Sequence, residues 1–138
     1  MQKGVSCIVR KKGLLQKAGL AAVPHEHVLI VYLPNKDKDG KEFDVEPWET
    51  EALRLQGRLF GGATSYPARG SYRKSDSMGR VVEEGVMIES TRTVESFIKE
   101  ADFKEEAIAR VAHFMHRFKK AARQESVAVV VDGEFYYL

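Results

Sequence analysis

Leu59-Phe60-Gly61-Gly62-Ala63-Thr64-Ser65-Tyr66-Pro67 is the stretch at which the chain changes its period. Before it, Trp48, Ala52, Leu55 and Leu59 fall at i, i+4, i+7 and i+11, the single apolar stripe of an amphipathic helix. Pro47 stands where a first helical turn tolerates proline, so the helix is read over residues 47–59. After it, residues 63–72 read as a broken strand. Adjacent glycines at such a junction supply the left-handed backbone that stops a helix. They lie at the negative end of the helix dipole, which disfavours a phosphate cradle. Their effect on function is to aim the segment 64–73.

Working outward, residues 27–33 form a strand that is β-branched, aromatic or aliphatic on both alternating faces, closed by Pro34. A polar loop, 35–44, joins it to the helix. Beyond the broken strand, Ser75-Asp76-Ser77-Met78-Gly79 is a turn and residues 80–91 make a third strand, giving a hairpin. Thr93 and Glu95 open a helical region that breaks around 100–103. Its main helix covers 104–124 and carries Ile108, Val111, Met115, Phe118 and Ala122 on one face. Residues 126–131 are the last strong strand. Asp132-Gly133 is a tight-turn signal, after which 134–138 folds back or continues along the sheet edge.

The order β-α-β-β-α-β predicts an α+β, ferredoxin-like sandwich with a four-stranded antiparallel sheet and both helices on one face. The domain covers residues 26–138. Residues 1–25 are read as a basic appendage with a short strand at 5–9 and a helical turn at 14–20. A chain of 138 residues, 43% hydrophobic and 30% charged, fits a single globular domain. Its one cysteine, Cys7, excludes an internal disulfide and a multi-cysteine zinc site. The longest apolar run, residues 28–33, is far short of a membrane span, and no signal-peptide core is present. A cytoplasmic protein with no membrane partner is expected.

The net charge of +2 hides an asymmetry. Lys3, Arg10, Lys11, Lys12 and Lys17 put +5 on residues 1–25, and the remaining 17 basic and 20 acidic residues leave −3 on the rest. A basic arm of this kind fits nucleic acid or an acidic partner, though a solvated terminal segment accounts for the same residues. In the last helix Glu106, Arg110, His113, Arg117 and Lys120 follow helical spacing with Lys119 and Arg123 beside them, a basic face part of which serves the helix dipole. The sheet lacks the aromatic ladder of an RNA-recognition motif; Arg69-Gly70-Ser71-Tyr72 is only a fragment of one.

The sheet face without helices carries further weight. Strand 27–33 and residues 127–131 are apolar on both faces, which would leave several hundred Å² of apolar surface uncovered. Burying such a face favours association by roughly 10 kcal/mol before entropy costs. A homo-oligomer joined through sheet faces or edges is expected; the alternative is that the N-terminal arm covers the face.

Several candidate chemistries are weighed against simpler readings. Asn35-Lys36-Asp37-Lys38-Asp39-Gly40, with Glu46 at the twelfth position, matches the spacing of a calcium loop. It follows a strand rather than a helix, has Glu42 where an apolar residue belongs, and has no second loop. A charged surface turn explains it better, and no metal is assigned. His25 and His27 begin the first strand and His113 and His116 lie on the last helix, too far along it to meet in one subunit. Glu83, Glu84 and Glu89 flank the third strand; acid–base work is one reading and cross-strand ion pairing the other. No nucleophile elbow, phosphate loop or dinucleotide fingerprint is present, and no cofactor is implied.

Leu33-Pro34, Asp39-Gly40, a helix, Phe60-Gly61-Gly62-x-Thr64, Pro67, Gly70 and Gln124-Glu125-Ser126-Val127 together resemble a group of small bacterial ferredoxin-like proteins with an FGGxT element. The resemblance spans about residues 28–138, and Tyr72 matches an aromatic residue its members often carry after the second-strand glycine. It implies the fold and brings no catalytic residue.

The sequence thus points to a small self-associating binding or regulatory module. Its ligand surface is assigned to Thr64, Tyr66, Arg69, Tyr72, Arg73 and Glu83. Thr64 and Tyr72 supply hydroxyls, Arg69 and Arg73 contact an anion, and Glu83 orients. The rival readings are nucleic-acid binding through the basic arm and helix face, and a small-molecule enzyme with acid/base carboxylates at a subunit interface.

Overall fold

The computed structural model describes residues 2–20, 23–75, 78 and 81–138, with side chains for all of these except 2–8, 74, 75 and 81–84. The chain is α+β: the described residues form three helices and a five-stranded antiparallel sheet in the order β2-β3-β1-β4-β5. The elements are α1 (Gln2–Lys17), β1 (His27–Pro34), α2 (Glu46–Phe60), β2 (Thr64–Ser75), β3 (Val81–Ile98), α3 (Glu105–Ala121), β4 (Ala128–Val131) and β5 (Glu134–Tyr137), with one 3₁₀ turn at Glu100–Asp102.

β1 alternates as its letters require. Leu29, Val31 and Leu33 are fully buried, and the residues between them are half-buried on the other face. Against the first set pack Ala52, Leu55 and Phe60 of α2 and Ala107, Val111, Phe114, Met115 and Phe118 of α3. Trp48 closes the interhelical seam edge-on to Phe114 and Phe118, with ring centroids 5.9 and 5.3 Å away. Gly61 ends α2 with φ 88°, and its N–H donates to the Gly57 carbonyl at 2.9 Å. Below it the buried Gln56 amide donates to Ser96 Oγ at 3.0 Å, and that hydroxyl donates to the Gly62 carbonyl at 2.9 Å. The double glycine is a helix stop tied into the core.

Three expectations need correction. The sheet has five strands, not four, because Asp132 and Gly133 take φ 51° and 82° and return the chain as β5 against β4. β3 does not end near Thr91. It runs to Ile98, pairing with β1 from Thr91 to Ile98 and with β2 on its other side. Thr93 and Glu95 resemble a helix start, but β-branched Thr91, Thr93 and Val94 between two partner strands favour the extended form. Residues 5–9 are helical, within α1, where a strand was expected. The turn expected at 75–79 falls largely outside the described residues.

The sheet face opposite the helices is open. α1 does not bury it: Val9, Leu14 and Leu15, the described apolar side chains of that helix, are exposed. On the open face Tyr66, Phe97, Phe135 and Tyr137 are exposed, while Val28, Ile30 and Val130 are half-buried between them. No helix among the described residues is long and apolar enough to cross a membrane.

Candidate functional site

The register decides which candidate residues can act together. Thr64, Tyr66 and Tyr72 of β2 pair with Glu95, Thr93 and Met87 of β3, and all point to the open face. Arg69 and Arg73, at odd positions, pair with Ser90 and Val86 and point to the other face. Thr64 and Tyr72 are eight residues apart, about 26 Å along a strand. Thr64 sits in a shallow depression with Gly61, Gly62, Glu95 and Phe97, and Tyr72 in a separate cleft at the other end. The Glu83 side chain lies outside the described residues. The six residues assigned from sequence therefore do not form one site.

The cleft at the Tyr72 end has a volume of ≈ 250 Å³. Its floor is the open face of the sheet, with Tyr32 from β1, Glu89 and Thr91 from β3, and Tyr72 from β2. One wall is the β4–β5 hairpin, where Phe135 lies 6.3 Å from Tyr32 and 4.9 Å from Tyr137 between ring centroids. The other is the loop after α3, Gln124 to Ser126, pinned by the Gln124 amide, which donates to the Lys36 carbonyl at 2.8 Å.

Two polar atoms in this cleft are buried without a hydrogen-bond partner among the described residues: Glu89 Oε2 and Thr91 Oγ1. A third, Thr93 Oγ1, lies next along the same face of β3. Such atoms cost roughly 1–3 kcal/mol each unless something outside the chain pairs with them. Burial pushes the Glu89 carboxyl above the ordinary carboxylate range, and Lys36, whose ammonium donates to the Ile88 carbonyl at 3.0 Å, offsets this only in part. Burial first, then the charges of Glu89 and Glu125, raise the Tyr72 phenol. The cleft is aromatic on its sides and acidic within. It suits a flat ligand carrying positive charge and disfavours an anion.

From the sequence, Glu89 is one of three strand carboxylates, and nothing local singles out Thr91, Tyr32, Phe135 or Tyr137. The signal available was parity: Glu89, Thr91 and Thr93 alternate along one face of β3. It needed the knowledge that β3 continues past Thr91 and that β1 lies beside it.

Two other clusters have structural roles. In the loop after β1, Asp37 Oδ1 accepts the backbone N–H groups of Asp39 and Lys41 at 2.9 and 3.0 Å, and Arg123 bonds Asp39 at 2.7 Å. Asp37 and Asp39, two of the carboxylates a calcium loop would turn inward, are committed to the backbone and to that guanidinium. His27 links β1 to the far end of the chain. Its Nδ1 donates to Asp132 at 2.7 Å, its Nε2 to Glu100, and its ring stacks on Phe103 with centroids 3.8 Å apart. Two carboxylate partners favour the imidazolium form and raise the ring above its ordinary value. Among the described residues no group of three or more His, Cys, Asp or Glu could hold a metal ion.

No protein-family model and no curated protein matches the chain. Among solved structures it is similar to a phage SAM lyase in complex with S-methyl-5′-thioadenosine, with TM-score 0.60 and 16% identity over 81% of this chain and 88% of that one. A phage SAM lyase in the apo state gives TM-score 0.56 and 16% identity over 81% and 87%. At that identity the likeness is one of fold.

Proposed function

We propose that the chain is a ferredoxin-like domain, lengthened by one edge strand, that binds a cationic adenosyl ligand of the S-adenosylmethionine class in the Glu89–Tyr72 cleft. The observation that carries this reading is the pair of unpartnered buried atoms, Glu89 Oε2 and Thr91 Oγ1, between aromatic walls. A purine or ribose against Tyr32, Phe135 and Tyr137 accounts for the walls. A sulfonium or ammonium group beside Glu89 accounts for the buried acid, since ion pairing offsets the cost of keeping that carboxylate charged. The fold likeness to a SAM lyase points to the same ligand class. Room for one nucleoside-sized group fits a small molecule.

The exposed aromatic side chains of the open face, Tyr66, Phe97, Phe135 and Tyr137, support self-association as part of the same reading, since the cleft opens on that face.

Calorimetry with S-adenosylmethionine and S-methyl-5′-thioadenosine tests the proposal. The cationic ligand binds more tightly than the neutral one, and Glu89→Gln removes that preference, weakening S-adenosylmethionine about tenfold or more while leaving the thioether within a fewfold. The reading is overturned if neither ligand binds at millimolar concentration, or if Glu89→Gln changes neither affinity. Mass spectrometry of the same mixtures reads turnover through release of the thioether.

A further inference from the structure

We propose that the crevice between α2 and α3, on the side of the molecule away from the cleft, binds the phosphate backbone of a nucleic acid. The two helices run antiparallel, as shown by Trp48 against Phe118 at one end and by Arg58 and Arg110 lining the crevice at the other. The crevice of ≈ 340 Å³ is lined by Arg58, Arg110, His113 and Arg117, with Glu51 as its only acid among the described residues. Glu51 is already neutralised: Arg117 pairs with it at 2.6 Å and lies over the Trp48 ring, 5.8 Å from its centroid. Arg58 and Arg110 are exposed and make no ion pair with any described residue, and the same holds for Arg54, one turn before Arg58 on α2.

Helix dipoles account for Arg58 and Lys120, which stand in the last turns of α2 and α3, but not for Arg110, which lies in the second turn of α3. Along α3 the residues Arg110, His113, Arg117 and Lys120 recur at helical spacing over about 15 Å. With one phosphate every 3.4 Å of axis on each strand of a duplex, that row faces about four phosphates. Arg54 and Arg58 form a second row beside it, and Arg10, Lys11, Lys12 and Lys17 give α1 basic charge as well. Guanidinium groups on both sides of the crevice, Arg58 from α2 and Arg110 and Arg117 from α3, fit a polyanion strand, which guanidinium binds through paired N–H donors.

Fluorescence anisotropy with labelled double-stranded DNA, single-stranded DNA and RNA of one mixed sequence tests this on the full chain, between 50 and 200 mM salt. Binding is expected without sequence preference, with a log–log salt slope of about −4 on a duplex. The double variant R58E/R110E changes two exposed side chains remote from the Glu89 cleft. It is expected to weaken binding at least tenfold and to flatten the slope by about 2. Circular dichroism and thermal unfolding report whether that variant keeps its fold. A charge-reversed α1, R10E/K11E/K12E, is expected to weaken binding less than R58E/R110E does. The proposal is overturned if the wild-type chain binds none of the three probes at 50 mM salt, if a folded R58E/R110E binds as well as wild type, or if only the α1 variant loses binding. The relative affinities of the three probes decide which nucleic acid the crevice takes.

Discussion

His27 donates to Asp132 at 2.7 Å across 105 residues of sequence, joining the first residue of β1 to the turn between β4 and β5. Asp132 also accepts the Val28 N–H at 2.9 Å through its other oxygen, and Glu100 receives the second ring N–H of His27. The hydrogen bonds to Asp132 and Glu100 raise His27 above 6.5, and the bond from His27 lowers Asp132 below 3.8. A raised histidine stabilises the fold fully below its ordinary value, and that contribution is lost as pH rises through the folded one. A lowered aspartate stabilises above its ordinary value and loses its contribution as pH falls through the folded one. The clamp is complete between about pH 4 and 6.5. Thermal unfolding of wild type and His27→Gln is expected to differ most near pH 5.5 and to converge as pH rises through the raised His27 value; a difference that does not fall with rising pH would rule the charged clamp out.

The Glu89 carboxyl, raised by burial, gives the cleft its own pH dependence. A cationic ligand needs the carboxylate, so affinity for S-adenosylmethionine is expected to fall as pH drops through a value above the usual carboxylate range. The profile of Glu89→Gln is expected to be flat over that interval. Titrations at pH 7.5, 6 and 5 provide the check, and a wild-type profile as flat as the variant's would contradict it.

Gly61 and Gly62 are adjacent but differ in what they tolerate. A Cβ at either position meets nothing within 4 Å, but Gly61 has φ 88° and Gly62 does not share that conformation. Gly61→Ala is expected to cost about 1–2 kcal/mol from left-handed strain, and Gly62→Ala to be close to neutral. Urea denaturation of the two variants separates these effects.

Ser96 is almost fully buried and joins Gln56 to the Gly62 carbonyl. Ser96→Ala leaves the carbonyl and one amide hydrogen without their hydroxyl partner inside the core, with an expected loss of about 1–3 kcal/mol in the same assay.

For the open face, the measurement is mass in solution. Wild type at tens of micromolar is expected to exceed the 15.6 kDa of one chain, and Phe97→Glu, a charge placed on an exposed aromatic position, to shift it toward that value. A wild-type chain that runs as a strict monomer would end the case for self-association.

Local letters were enough for much of this molecule. The apolar stripe of Trp48, Ala52 and Leu55, the alternation through Leu29, Val31 and Leu33, and the Asp132-Gly133 turn each report a conformation whose cause lies within a few residues. Backbone sterics and hydrophobic periodicity act at that range, so helices, strands and turns could be read directly. What lay beyond reach depends on partners distant in sequence. Thr93 and Glu95 look like a helix start until β1 and β2 claim both edges of β3. The alternation that separates Arg69 and Arg73 from Tyr72 is a property of each strand, but its meaning depends on which face the helices cover. Glu89 looks like any strand carboxylate until the loop after α3 and the β4–β5 hairpin, dozens of residues downstream, close around it and shield one of its oxygens from water. Desolvation is a property of the assembled surroundings, and it turns an ordinary acid into the centre of the candidate site.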